Sequence, residues 1–177
     1  LPRLYILFRF TTLLIFDECY LASKEEQDAL TNVVLAGGKL NRKCVGRDAK
    51  TLLGMIGVTV PDNIRCITFE GPKEHPLIAT ELMMPILGVV REKDFDDAVE
   101  QAVWLEHGNR HSAHIHSKNV DRITKYAKAI DTAILVKNGP SYAALGFGGE
   151  GFCTFTIASR TGEGLTSASS FTKRRRC

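Results

Sequence analysis

The chain has 177 residues, of which 44% are hydrophobic and 24% charged, and it carries a net charge of +3. That is long enough for one domain with a real core, and the composition is that of an ordinary globular protein. The charge is too small to argue for nucleic acid, and the one basic cluster, Lys173-Arg174-Arg175-Arg176, has no interleaved aromatic platform, so it reads as a solvated tail or subunit contact.

Residues 1–16 are apolar apart from Arg3, Arg9 and two threonines. The stretch is short for a membrane span and has an arginine in its middle, so buried core strands are expected instead. With no initiating methionine or small-residue cleavage site it is also a poor signal peptide. The abrupt start and stop suggest a piece of a longer protein.

From residue 23 helices alternate with strands. Ser23 and Glu26 form a capping box that predicts a helix to about Leu35 through Ala29, Leu30, Val33 and Val34, ended by Gly37-Gly38. Asp48 is the expected N-cap of a second helix through Leu52, Leu53 and Ile56, stopped by Gly57. Ile64 to Phe69 reads as a strand with Gly71-Pro72 as the turn after it, and Pro85 to Val90 as a buried strand. Asp94 and Asp97 open the clearest helix, with Phe95, Ala98, Val99, Ala102 and Val103 at helical spacing and Gly108-Asn109 at its end.

Ser112 to His116 is a short strand. Asn119 to Ile130 is an amphipathic helix with Val120, Ile123, Ala127 and Ile130 inward, and Thr132 to Val136 is a strand. This alternation favours an α/β fold with a mostly parallel sheet and helices on both faces. No repeat or linker is visible, so residues 1–177 read as one domain.

After that last strand come Lys137 to Tyr142, then Gly146-Phe147-Gly148-Gly149-Glu150-Gly151, then Thr161 to Thr166. The middle run spells the dinucleotide fingerprint G-x-G-x-x-G. Directly after it, Phe152 to Ile157 alternates like a strand, and no acidic residue stands about twenty positions on, which argues against a phosphate-binding turn. A glycine-rich loop lining a pocket between two strands fits better.

The five cysteines, Cys19, Cys44, Cys66, Cys153 and Cys177, form no C-x-x-C pair and are odd in number. They read as thiols of a reducing compartment, the cytoplasm by default. Cys44 lies between Lys43 and Arg47, whose charges favour a thiolate. Cys66 and Cys153 sit in apolar strand patterns and are expected to be buried and inert. Structural roles are expected for all of them.

His107, His111, His114 and His116 crowd together, but no nearby cysteine or carboxylate completes a tetrahedral set. Ordinary hydrogen-bonded histidines are expected, and no metal. Glu81, ahead of the Pro85 strand, has two equal readings. It is a helix-start carboxylate capped by Thr80, or a sheet-edge carboxylate able to accept two hydrogen bonds from sugar hydroxyls.

The order of several segments adds a resemblance. Glu81 to Leu87, Glu106 to His111, His116 to Val120, Val136 to Tyr142, Gly146 to Gly151, Gly162 to Thr166 and Phe171 to Cys177 resemble the aldehyde dehydrogenase superfamily. They look most like its CoA-acylating branch, the propionaldehyde and acetaldehyde dehydrogenases of bacterial microcompartments. The likeness runs from about Tyr20 to the end, leaving residues 1–18 atypical.

It implies the family's catalytic-domain portion, with the N-terminal NAD-binding domain absent. It also implies NAD and coenzyme A as cofactors, a short-chain aldehyde as substrate, and a homo-oligomer. The setting it implies is the cytoplasm or a microcompartment, with the shell as a further partner and neither nucleic acid nor membrane. In this light Glu81 holds the nicotinamide ribose and Met83 packs beside the nicotinamide, while Phe147, Gly148 and Gly149 edge the aldehyde pocket. The branch carries its nucleophilic cysteine in an Asn-Leu-Pro-Cys-Ile segment roughly where this chain begins, and Arg3 stands there instead. Arginine stays protonated and cannot be the nucleophile, so no catalytic residue is assigned and the isolated chain is expected to be inactive. Two alternatives stay open: an inactive dehydrogenase-derived subunit or assembly module, and a non-acylating aldehyde dehydrogenase.

Overall fold

Every strand pairing among the described residues is parallel, as expected where helical stretches separate the strands, because a parallel return needs a long crossover. The computed structural model describes residues 5–7, 18–140, 143, 145–148, 153–154, 166–172 and 175, with residues 5–7 as backbone alone. Two compact units divide the chain, the first ending at Gln101 and the second starting at Ala102. The alternation resolves into one parallel sheet in each unit.

In the first unit the strands are β1 (Tyr5–Leu7), β2 (Cys19–Leu21), β3 (Cys66–Glu70) and β4 (Ile86–Arg91), in the spatial order β1-β4-β3-β2. Helices α1 (Lys24–Val34) and α2 (Ala49–Gly54) lie between β2 and β3 in the chain, and α3 (Pro76–Ala79) lies between β3 and β4. Ile67, Thr68 and Phe69 of β3 are buried, as are Ile86 to Val90 of β4. Consecutive strand residues point to opposite faces, so unbroken burial means that both faces of the sheet are covered.

Local signals set the helix starts. The Ser23 Oγ accepts from the Glu26 amide at 3.3 Å, and the Glu26 carboxylate accepts from the Ser23 amide at 2.7 Å. The same carboxylate accepts from the Tyr20 hydroxyl at 2.6 Å, tying β2 to α1. Asp48 caps α2 by accepting from the Thr51 amide at 2.6 Å. Helix α2 ends at Gly54, short of Ile56, and a turn carries the chain to Gly57 at φ +81°. β3 begins at Cys66, two residues later than the apolar pattern starts, because Ile64 closes a turn on the Pro61 carbonyl.

Helix α3 packs closely on β4. A Cβ on Gly88 would stand 2.2 Å from Ile78 Cγ1, so glycine alone lets α3 lie this close to the strand.

Helix α4 (Phe95–Glu106) starts in the first unit, with the Asp94 carboxylate accepting from the amides of Asp96 and Asp97 at 3.0 and 2.9 Å. Val99 is buried, whereas Val103 is 41% exposed and does not follow the inward pattern of its spacing.

The second unit contains β5 (Ser112–Ile115), α5 (Val120–Ile130) and β6 (Ile134–Lys137), with β5 and β6 paired from Ser112–Ile134 to Ile115–Lys137. Asn119 caps α5 through the Arg122 amide at 3.0 Å. Burial deepens along α5 from Val120, 71% exposed, to Ile130, 6% exposed. Val120 therefore corrects the sequence expectation: helical spacing defines a face but not where the covering element ends. Tyr126 on this helix is buried enough to push its phenol up to about 12, with the Glu106 carboxylate adding to the effect. Among the described residues no helix is long and apolar enough to cross a membrane.

The α3–β4 contact makes a direct prediction. Gly88→Ala should overpack the interface and cost about 1–3 kcal/mol of stability, and Ile78→Ala in the same chain should recover part of that loss. An unchanged denaturation midpoint for Gly88→Ala would contradict the close packing.

Candidate functional site

The segment that joins α3 to β4 carries two of the predicted site residues. Pro76 opens α3 at a position where its missing amide costs nothing, and the His75 Nδ1 accepts from the Leu77 amide at 3.2 Å. Burial pushes the His75 imidazole below its ordinary value, partly offset by Asp28, so the neutral ring suits this acceptor role. Thr80 follows α3 with extended backbone, φ −111° and ψ 137°. Thr80 therefore ends a helix and does not begin one, which removes the helix-start reading of Glu81.

Beyond Thr80 the side chains alternate. Glu81 is exposed, Leu82 is 4% exposed, and Met83 is 59% exposed. Leu82 thus anchors the segment while its two neighbours face outward. Met83 has φ +54°, a left-handed conformation that an unbranched apolar residue adopts only when its surroundings impose it. Two backbone bonds impose it here: the Gly46 amide donates to the Met83 carbonyl at 3.2 Å, and the Ile67 amide donates to the Pro85 carbonyl at 2.8 Å. Gly46, itself at φ +71°, is a support that sequence reading missed.

The second unit carries the glycine-rich loop. Asn138, at φ +51°, follows β6 directly, and its side chain clamps the backbone of Ser117 after β5. Its Oδ1 accepts from the Ser117 amide and its Nδ2 donates to the Ser117 carbonyl, both at 2.8 Å. Asparagine tolerates the left-handed region better than other non-glycine residues, so Asn138-Gly139 held a readable turn signal.

Further along, Phe147 stands between Gly146 at φ +92° and Gly148 at φ +68°, and it is 64% exposed. The amide of Thr154 donates to the Leu145 carbonyl at 3.1 Å and so closes the segment that bears it. Thr166 is 2% exposed. Gly149 and Arg3 lie outside the described residues, as do most of Phe152 to Ile157.

Other candidates look different in place. Cys44 is fully buried, with its Sγ 3.7 Å from the Val33 carbonyl and 3.8 Å from the Met55 sulfur, which keeps substrates away from it. Cys66 is half-buried and Cys153 exposed, so neither is sealed as their apolar surroundings predicted. Strand-like patterning does not tell the middle of a strand from its end, and Cys66 is the first residue of β3.

His107 stacks at a tilt on Trp104 with ring centroids 5.6 Å apart, and the His111 Nδ1 lies 3.0 Å from the Ser112 hydroxyl. Among the described residues no group of three or more His, Cys, Asp or Glu is placed to hold a metal ion. An open groove of about 570 Å³ lies at the carboxyl ends of β3 and β4, where Glu70 receives a two-pronged ion pair from Arg91 at 2.9 and 2.8 Å. It contains none of the predicted site residues, since Glu81 and Met83 precede the amino end of β4.

No protein-family model matches the chain. Over 140 residues it is 50% identical to the acetylating acetaldehyde dehydrogenase EutE of Salmonella typhimurium, covering 79% of this chain and 30% of that protein. Its fold matches a propionaldehyde dehydrogenase from the Clostridium phytofermentans fucose utilisation bacterial microcompartment. That match has a TM-score of 0.87 and 78% identity, covering 93% of this chain and 38% of the other. It also matches a propionaldehyde dehydrogenase of Rhodopseudomonas palustris that holds CoA and an acylated cysteine, with a TM-score of 0.84 and 52% identity over 90% of this chain and 37% of the other.

The chain spans about a third of the length of the curated relatives it matches. By residue order, sequence identity and fold alike, this chain is, over that third, a homologue of the CoA-acylating aldehyde dehydrogenases.

Proposed function

We propose that this chain forms the aldehyde-handling, thioester-forming part of a CoA-acylating aldehyde dehydrogenase. The enzyme oxidises a short-chain aldehyde with NAD and passes the acyl group to coenzyme A. The observation that carries this reading is the 78% identity, over 93% of the chain, to a propionaldehyde dehydrogenase of a microcompartment. A relative caught with CoA and an acylated cysteine supports the thioester route.

The residues present suit a nicotinamide riboside. An exposed carboxylate at Glu81 and an exposed thioether at Met83 stand two positions apart on a segment fixed by Leu82 and Gly46. Such a pair offers acceptors for ribose hydroxyls and an apolar surface for a flat ring, side by side. When bound, NAD supplies the hydride acceptor and CoA the thiol that takes the acyl group.

Glu81 then holds the ribose by accepting two hydrogen bonds, and Met83 limits where the ring can settle. Orientation of this kind is most of what a protein contributes to hydride transfer. Phe147, raised on a turn between two left-handed glycines, gives the aldehyde's alkyl chain an apolar wall. Gly148 leaves room for the substrate beside it, and by the family resemblance Gly149 edges the same pocket. The nucleophile is a cysteine thiolate that adds to the aldehyde carbonyl, and its place in the family falls near Arg3.

The relative from a fucose utilisation microcompartment supports a short-chain aldehyde as substrate and such a compartment as the setting, and assembly as a homo-oligomer in contact with the shell is proposed from the family resemblance alone.

In the full-length enzyme, Glu81→Gln should weaken the ribose contact by about 1.5–3 kcal/mol, the worth of a charge-assisted hydrogen bond. Hydride transfer should slow by roughly ten- to a hundredfold, while thioester transfer to CoA stays near its normal rate. Single-turnover NADH formation at the normal rate would remove Glu81 from the site.

Phe147→Ala should move the preference among propanal, butanal and hexanal toward the longer chains, since each buried methylene is worth about 0.8 kcal/mol. The kcat/KM values for the three aldehydes measure this. A loss of about 3–5 kcal/mol of stability with the ranking unchanged would instead mark Phe147 as core.

A further inference from the structure

The parallel register of β2 on β3 sets Cys19 directly beside Cys66. Neighbouring strands lie about 4.8 Å apart, inside the Cα separation of about 4.4–6.8 Å that a disulfide spans. Residues in register on parallel strands point to the same face of the sheet, so the two thiols share one side. The Glu18 carbonyl draws the strands together at this point, accepting from the amides of Arg65 at 2.7 Å and Cys66 at 3.3 Å.

Both cysteines are half-buried, so solvent reaches them, in contrast to the fully buried Cys44. Each is the first residue of its strand, and among the described residues the three-residue β2 lies at the edge of the sheet. A strand end on a sheet edge can shift by the small amount needed to bring the two Cβ atoms to bonding distance, where a central strand would resist.

We propose that Cys19 and Cys66 are a redox modification site that closes to a disulfide in the folded chain. With a peroxide as oxidant, one thiolate attacks a peroxide oxygen, the O–O bond breaks, and a sulfenic acid forms as hydroxide leaves and takes a proton to become water. The other thiol then attacks that sulfur, the S–S bond forms, the S–O bond breaks, and the second water leaves. Two thiols are oxidised by two electrons and one peroxide is reduced. This inference does not depend on the catalytic reading above, because it uses neither the nicotinamide contacts nor the aldehyde pocket.

The test treats the full 177-residue chain with equimolar hydrogen peroxide, quenches it with an alkylating reagent, and maps the peptides by mass spectrometry. The expected product is a linked pair of peptides containing Cys19 and Cys66, two mass units lighter than the separate thiols and reversed by dithiothreitol. Cys19→Ser and Cys66→Ser should each abolish that product without changing the far-ultraviolet circular dichroism. In guanidinium chloride the preference for this pair over the other cysteines should vanish. Links made mainly to Cys153 or Cys177, oxidation to sulfinic acid without a link, or equal linking in native and denatured chain would each overturn the proposal.

Discussion

The close approach of α3 to β4 is the constraint on which the first unit depends. Gly88 lacks the Cβ that would otherwise strike Ile78, so the short helix lies directly on the strand after it. A helix only four residues long has little stability of its own. It persists because Leu77 and Ile78 are buried. Where α3 ends is therefore decided by the sheet, and its end decides where Thr80 turns into extended backbone and Glu81 faces outward.

That arrangement explains why a strained residue is tolerated at Met83. A left-handed apolar residue costs on the order of 1–3 kcal/mol, and the Gly46 amide and the buried Leu82 hold the backbone on both sides of that cost. Strain of this kind is kept where geometry matters more than stability. On the proposed reading, what matters is that an acceptor pair and an apolar surface reach one riboside at a fixed spacing. Asn138 plays a comparable part in the second unit, where one side chain replaces two backbone bonds and joins the ends of β5 and β6.

Much of the secondary structure was legible because its signals are local. Ser23 with Glu26, and Asp48, each cap the helix predicted from them, and the helix read from amphipathic spacing over Asn119 to Ile130 is present with Asn119 as its cap. The parallel character of the sheets followed from helices lying between strands. What the sequence could not show was long-range: the order β1-β4-β3-β2, the contact of Ile78 with Gly88, and the register that pairs Cys19 with Cys66. Val120 and Cys66 were misplaced for one reason, since periodicity identifies a face without locating its end. Glu81 shows the limit most plainly. Its residue type left two readings open, the backbone at Thr80 removed one of them, and its role rests on likeness to a family of known chemistry.

The β3–β4 frame holds the Glu81–Met83 segment in place before β4. Amide hydrogen exchange at Gly46 and Ile67 tests it most directly, because these two amides donate to the Met83 and Pro85 carbonyls. Both should exchange slowly, in step with the buried amides of β3 and β4. Exchange of either at the rate of an unstructured chain, while β3 and β4 stay protected, would contradict it.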